Sequence, residues 1–283
     1  METTTIHEAL RWASSFLNEQ NLEATAGEWL LRHHMDMDRA LLLASLREPL
    51  APGVFEDFQS DVRAYASGVP VQHLTGYDEF FGRRFMVNPD VLIPRPETEE
   101  LIVAVLERLP KRTRTILDVG TGSGTIAITV ALELPNVAVT AVDLSSKALD
   151  VAKKNASALN ASVTFKQGDL LTPVSAQKFD VILSNPPYIP EGERDSLAVH
   201  VRDYEPSSAL FAGVDGLDIY RRLVTELPTV MEPQGLIAFE VGATQGERVR
   251  SMLSSTFSKA ETEVRYDING KDRIVLAYGD MTT

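Results

Sequence analysis

From Thr113 to the C-terminus, short apolar runs alternate with longer amphipathic stretches, and this alternation constrains the fold more than any other feature. The apolar runs fall at 114–119, 138–143, 163–168, 179–184, 235–241, 260–267 and 273–278. Helical three-and-four spacing fills most of the gaps, at 123–134, 145–159, 217–230 and 245–255. Apolar strands separated by amphipathic helices predict a mostly parallel sheet covered on both faces. Only Asn269-Gly270 and a few polar residues separate the last two runs. That link is too short for a crossover, so a hairpin is required and the final strand is expected to be antiparallel. The expected class is α/β.

The segment ahead of this alternation has a different period. Ile6, Ala9, Leu10, Ala13, Phe16 and Leu17 share one helix face. Thr25-Ala-Gly-Glu28 fits a capping box ahead of Trp29, Leu30 and Leu31. Asp36 or Asp38 can cap a short helix through Leu46. Pro52 can open another that carries Phe55, Phe58, Val62 and Tyr65, and Gly68-Val-Pro70 closes the segment. Residues 1–75 are therefore expected to form a small helical bundle domain. Residues 76–92 follow as a β-hairpin linker, Tyr77 to Phe81 and Arg84 to Val87 around Gly82-Arg83. The third part, residues 93–283, begins with a helix opened by Thr98 or Glu97, with Leu101, Ile102, Val105, Leu106 and Leu109 inward and Pro110 as its stop.

Charge narrows the class of partner. The net charge is −13, and residues 1–75 hold five arginines, no lysine and eleven acids. Such a surface repels a phosphate backbone, so a direct nucleic-acid substrate is not expected. No apolar run is long enough to span a bilayer, so no membrane partner is expected either. Met1 to Glu8 lacks the basic start and apolar core of a signal peptide, and the chain has no cysteine. A cytoplasmic location is expected. His33-His34 has no ligand at helical spacing and is read as a half-buried or solvated pair rather than a metal site.

The turn after the first strand of the alternation reads Asp118-Val-Gly120-Thr121-Gly122-Ser123-Gly124. Glycines there let the chain turn tightly and let a ligand approach the backbone, and the helix beyond favours an anionic group. The next strand ends in Asp143, placed to accept hydrogen bonds from both ribose hydroxyls, or else to cap the following helix, a role Ser145 can also fill. The third strand ends in Gly168-Asp169-Leu170, where Asp169 can receive an adenine amino group and Leu170 can cover the ring. A dinucleotide or S-adenosylmethionine fits these spacings. The glycine pattern departs from G-x-G-x-x-G, and the turn lies well inside the chain, which favours the second.

The fourth strand delivers Asn185-Pro186-Pro187-Tyr188 to its tip. With the glycine turn, Asp143 and Gly168-Asp169-Leu170 in the same order, it resembles a class I S-adenosylmethionine-dependent methyltransferase acting on a planar amide or amino nitrogen. "GYDEFFGRRFMVNPDVLIPRPETEEL" at 76–101 and "DYEPSSALFAGVDGLDIYRRL" at 203–223 narrow the likeness. Together with the helical segment, they resemble the HemK/PrmC glutamine methyltransferases of peptide-chain release factors over essentially the whole chain.

That resemblance implies a Rossmann-like sheet, S-adenosylmethionine as donor with S-adenosylhomocysteine as product, no metal, and a release factor as protein substrate. The implied reaction methylates the glutamine side-chain amide in a Gly-Gly-Gln loop. Asn185, Pro186 and Tyr188 are the implied catalytic residues, with Pro187, Arg95 and Glu97 also on the substrate side. Asp118, Gly120, Thr121, Gly122, Ser123, Gly124, Asp143, Asp169, Leu170 and Asn185 are implied on the cofactor side. Leu170 stands where some relatives have an aromatic, so any cover over adenine is aliphatic here.

The chemistry is consistent with these residues. An amide nitrogen is a poor nucleophile, so its orientation counts heavily, and well-oriented reactants can gain roughly 7–11 kcal/mol. The Asn185 side-chain oxygen and the Pro186 carbonyl can each accept one N–H. Pro187 restricts Pro186 to extended geometry, and neither proline has an N–H to compete. Tyr188 can pack against the amide plane and exclude water. Methylation of an exocyclic amino group of a nucleic acid is the alternative, and the acidic charge opposes it.

Overall fold

The computed structural model describes residues 4–283; residues 1–3, part of the stretch read above for a leader, lie outside the described residues. The chain divides into two units. One runs through Tyr77 and takes in Ala198–Tyr204, and the other comprises Asp78–Leu197 and Glu205–Thr283.

The first unit is helical. Helix α1 (Ile6–Glu19) opens on a capping box, with Thr5 Oγ1 accepting from Glu8 N at 3.3 Å and Thr5 N donating to Glu8 Oε2 at 2.8 Å. The box expected at Thr25 does not form. Helix α2 (Thr25–Met35) already includes that residue, and Glu28 instead receives Arg39 Nε at 2.7 Å. Asp38 caps α3 (Arg39–Ala44) through Leu41 N at 2.7 Å, while Asp36 ends α2 in the left-handed region. Helix α4 (Val54–Ala66) starts after Gly53 rather than at Pro52. The expected stop at Pro70 is instead a start. Its fixed φ suits a helix entry, and α5 (Val71–Thr75) follows. The apolar faces of α1, α2 and α4 meet at Ala13, Leu17, Leu30, Phe58 and Val62, with Trp12 edge-on to Phe55 and Phe58 at 5.8 and 6.1 Å.

The expected hairpin is β1 (Tyr77–Phe80) and β2 (Arg83–Met86), followed by α6 (Pro96–Arg108). Arg95 is the extended N-cap of α6, so neither Glu97 nor Thr98 begins the helix; both lie in its first turn. The alternation then runs β3 (Thr115–Val119), α7 (Thr125–Glu133), β4 (Ala138–Asp143), α8 (Ser146–Ala158), β5 (Val163–Gln167) and β6 (Phe179–Ser184). After α9 (Val199–Arg202), which belongs to the first unit, come α10 (Asp218–Glu226), β7 (Met231–Glu240), α11 (Gly246–Thr256), β8 (Ala260–Tyr266) and β9 (Asp272–Asp280).

These strands form one sheet in the order β5-β4-β3-β6-β7-β9-β8. The first five are parallel, and β9 runs antiparallel to both β7 and β8. The last strand is thus antiparallel as expected, yet it inserts beside β7 and leaves β8 at the edge. The sequences explain the exchange. Ile274 to Ala277 of β9 are buried, whereas Glu261, Glu263 and Arg265 of β8 carry the charge that suits an edge. Alternate strand residues feed two cores. Ile182, Ile237 and Phe239 face α10 and α11, while Val181, Leu183, Leu236 and Ala238 face α6 and α7. Each of the larger of these side chains contributes about 1.5–3 kcal/mol by leaving water. The rigid sheet that results fixes the carboxyl ends of β3, β4, β5 and β6, where the candidate site lies.

Candidate functional site

Strand order reverses at β3, with β4 on one side and β6 on the other, and such a reversal opens a crevice at the carboxyl ends. A cavity of about 240 Å³ occupies it. Gly120 and Gly122 line it from the β3 turn, Asp143 from β4, Gly168, Asp169 and Leu170 from β5, and Asn185, Pro186 and Pro187 from β6. Four separate sequence motifs therefore meet in one space.

The glycine turn is bound to the strand beside it. Gly120 N and Thr121 N both donate to the Val142 carbonyl, at 2.8 and 3.1 Å. Gly120 and Gly122 have φ of 75° and 55°, and a Cβ added to either would meet nothing within 4 Å. Their backbone is open to a ligand. Gly124 differs, since its Cβ would fall 2.8 Å from Ile128 and 3.1 Å from Ala152, so this glycine serves helix packing. Thr121 and Ser123 are buried and do not line the cavity. The Thr121 hydroxyl donates to Asp118 Oδ2 at 2.6 Å, and the Ser123 carbonyl accepts from Asn155 at 2.8 Å.

Asp118 is fully buried at the end of β3. Its Oδ2 accepts from Thr121 and from Ala127 N at 3.2 Å, while Oδ1 has no partner in the protein. Burial pushes this carboxyl up to about 7, against both hydrogen bonds. Between about pH 4 and about pH 7 the folded protein therefore holds a proton that the unfolded chain releases, so this group costs stability as pH rises through that window. An Asp118→Asn protein, which cannot titrate there, is expected to gain in Tm relative to the parent from pH 5 to pH 7.5. Calorimetry at matched ionic strength checks this; a Tm difference that stays flat with pH contradicts it.

Asp143 bridges the two turns, Oδ2 accepting from Gly122 N and Oδ1 from Ser145 N, both at 2.8 Å. Burial raises its carboxyl, with those N–H groups opposing the shift. Ser145 caps α8 through Ala148 N at 3.2 Å, which leaves Asp143 to the cavity. Asp169 Oδ2 receives Arg222 Nη2 at 2.6 Å, and both residues line the cavity.

The sequence reading missed part of the lining. Leu144, 65 % exposed and directly after Asp143, forms apolar wall, as do Val91 and Leu92 from the linker and Ile219 from α10. A leucine directly after the acid that ends an apolar run is the signal the sequence offers for Leu144. None exists for Ile219 or Arg222, which arrive from α10.

Asn185 Nδ2 donates to Thr98 Oγ1 at 3.1 Å, and Thr98 Oγ1 donates to Glu240 Oε2 at 2.6 Å. Tyr188 does not line the cavity. Its ring packs against the core cluster that contains Tyr220 and Phe239, and burial pushes its hydroxyl up to about 12. Gln245 Nε2 donates to the Tyr188 carbonyl at 2.9 Å. Gly216 closes on the same carbonyl, so near that an added Cβ would lie 2.1 Å from it. The Asp215-Gly216 loop thus clamps the chain just after the two prolines. Arg95 pairs with buried Glu205, whose Oε2 also accepts from Ile93 N at 3.1 Å, so the segment between the linker and α6 is held by a residue that follows β6 in sequence. Glu97 is half-buried in the first turn of α6 and outside the cavity lining. His34 Nε2 is 2.8 Å from Asp61 Oδ2, a hydrogen-bond partner for one of the two adjacent histidines.

Comparison with known proteins adds to this geometry. Residues 8–76 match the PrmC N-terminal domain and residues 99–202 the Methyltransferase small domain. A release factor glutamine methyltransferase of Bacillus cereus is 48 % identical over 278 residues, 96 % of this chain and 98 % of that protein. One of Bacillus subtilis is 48 % identical over 280 residues, 96 % of this chain and 97 % of that protein. Among solved structures, the hMettl16 catalytic domain aligns with a TM-score of 0.57 at 16 % identity, covering 79 % of this chain and 84 % of that one. At that identity the likeness concerns the fold.

Proposed function

The chain belongs to the release factor glutamine methyltransferase family, and on that premise we propose its reaction. It transfers a methyl group from S-adenosylmethionine to the side-chain amide nitrogen of the glutamine in the Gly-Gly-Gln loop of a peptide-chain release factor. The setting is cytoplasmic; no helix among the described residues is long and apolar enough to cross a membrane. Residues 1–75 serve as the substrate-recognition domain, 76–92 as its linker and 93–283 as the methyltransferase domain.

The observation that carries the reading is the convergence of Asn185-Pro186-Pro187 with the glycine turn and Asp143 around one cavity. The donor set fits S-adenosylmethionine. Gly120 and Gly122 offer open backbone for a carboxylate, Asp143 offers a carboxylate for ribose hydroxyls, and Asp118 keeps an unpaired buried oxygen whose cost a nearby ammonium would lower. Leu144, Leu170 and Ile219 supply apolar cover for a purine, and Asp169 an acceptor for its amino group. The group itself supplies an electrophilic sulfonium methyl when bound.

The chain's own residues do the rest. The Asn185 side-chain oxygen and the Pro186 carbonyl accept the two N–H bonds of the glutamine amide and so fix its plane. These acceptors interact more strongly as positive charge grows on nitrogen, which is selective stabilisation of the transition state. Tyr188, seated in the core and held by Gln245 and Gly216, keeps both acceptors in register. Arg95, paired with Glu205, and Glu97 in the first turn of α6 shape the substrate side.

Incubation with methyl-labelled S-adenosylmethionine and purified release factor tests this reading. Label is expected on the release factor and not on a variant whose loop glutamine is alanine. Label that persists on that variant, or that appears on DNA or RNA instead, overturns it.

A further inference from the structure

Thr98, Glu240 and Asn185 come from three distant parts of the chain, the first turn of α6, the end of β7 and the tip of β6, yet they form one hydrogen-bonded line. Thr98 and Glu240 are buried and do not line the cavity described above. We infer that they form a positioning relay, in which Glu240 fixes the Thr98 hydroxyl and Thr98 fixes which end of the Asn185 amide faces the substrate. The inference rests on the proposed reaction for its consequence and on hydrogen-bond valence for its logic.

A hydroxyl has one proton to give. Thr98 gives it to Glu240 Oε2 at 2.6 Å, so toward Asn185 it can only accept. Asn185 must then present its NH₂ group, as the 3.1 Å contact from Nδ2 has it. The amide is planar, so its oxygen is turned the other way as an acceptor for a substrate N–H. Without the relay the two ends of the amide are nearly equivalent in shape, and half of the conformers would oppose a donor with a donor. Such a clash costs more than a missing bond, because both groups stay desolvated.

The relay depends on Glu240 being ionised. A Glu240 that takes its proton on Oε2, the oxygen facing Thr98, becomes a donor to Thr98 Oγ1, the Thr98 proton turns toward Asn185, and the amide flips. Burial pushes this carboxyl up to about 7, while the Thr98 hydroxyl and Arg273 draw it down, Glu97 pushes it up and Arg95 draws it down. Tyr188 and Tyr220 also face it, the latter donating its hydroxyl to the Glu240 carbonyl at 2.6 Å. Turnover at saturating donor should therefore rise with pH through about 7 as Glu240 loses its proton.

The test compares Thr98→Val, Thr98→Ser and Glu240→Gln with the parent enzyme, each confirmed folded by thermal melting. Thr98→Val is expected to lower kcat by about ten- to a hundredfold, the usual loss when a partner that orients a ligating side chain is removed. Donor affinity by calorimetry should stay within about threefold, and Thr98→Ser should recover most of the rate. The acid limb near neutrality should vanish in Thr98→Val and Glu240→Gln. Since Asp118 is intact in both, that loss separates the two carboxyls. Equal rates in Thr98→Val and the parent, or a limb that survives in both variants, overturn the relay. A second readout is independent of activity: the side-chain ¹⁵NH₂ signal of Asn185, identified by its loss in Asn185→Ala, should titrate near pH 7 in the parent and not in Thr98→Val. A parent enzyme that fails to methylate release factor defeats the proposed reaction alone, and the titration then still decides the relay. An Asn185 signal that ignores pH in the parent overturns the relay alone.

Discussion

Replacing Asn185 with alanine is expected to reduce turnover by about 10²–10³-fold, the range found when one preorganised polar contact to a transition state is removed. Affinity for S-adenosylmethionine should change little, because Gly120, Gly122 and Asp143 hold the other elements of the cavity and none of them hydrogen-bonds to Asn185. The loss should appear in kcat rather than in the donor's Kd, as expected for a contact made mainly to the reacting nitrogen. The variant also leaves Thr98 without its Asn185 partner, but that hydroxyl keeps Glu240, so the fold should hold. Single-turnover kinetics together with calorimetric titration of the donor separate the cases. Parallel losses in both would place Asn185 in donor binding alone.

The second large effect concerns Asp143. Asp143→Ala is expected to weaken S-adenosylmethionine binding by about a hundredfold, since hydrogen bonds to a charged acceptor are worth roughly 1.5–3 kcal/mol each. Two consequences combine in that figure. The ribose hydroxyls lose their acceptor, and the N–H groups of Gly122 and Ser145 lose the carboxylate that ties the β3 and β4 turns together. Asp143→Asn would set its NH₂ against the N–H of Gly122 or of Ser145, so its loss should be at least as large as that of the alanine variant. Unchanged affinity in the alanine variant would remove Asp143 from the ribose site.

Much of this site was legible because each of its motifs sits at a strand end, directly after an apolar run. The glycine turn, Asp143, Leu170 and Asn185-Pro186-Pro187 each announce themselves by residue type and by position after an apolar run, and all of them reach one cavity. The relay was not legible for the opposite reason. Thr98 and Glu240 are separated by 142 positions, and nothing local marks a threonine inside a first helical turn as the partner of a β7 glutamate. Glu205 is similar, a carboxylate 112 positions from the Ile93 N–H that it receives. Such pairs exist only once the sheet is assembled.

Local capping was misread where two solutions compete. Thr25 with Glu28 spells a capping box, but so does Thr5 with Glu8, and only the second starts its helix at the residue after the threonine. Tyr188 shows the limit of reading a motif as a set of equal contacts. Its neighbours on the chain line the cavity, while its own ring turns into the core beside Phe239 and Tyr220. The place of β9 between β7 and β8 follows from which strand carries charge, a comparison that the hairpin link alone does not reveal.

The central claim is that the acceptor pair at Asn185 and Pro186 receives one particular protein amide. Fragmentation mass spectrometry of release factor after a single turnover reads that directly, because it locates the methyl group to one atom of one side chain. Methyl is expected on the amide nitrogen of the Gly-Gly-Gln glutamine and nowhere else in the release factor. Methyl on another side chain, or an unmodified release factor beside methylated nucleic acid in the same mixture, would contradict it.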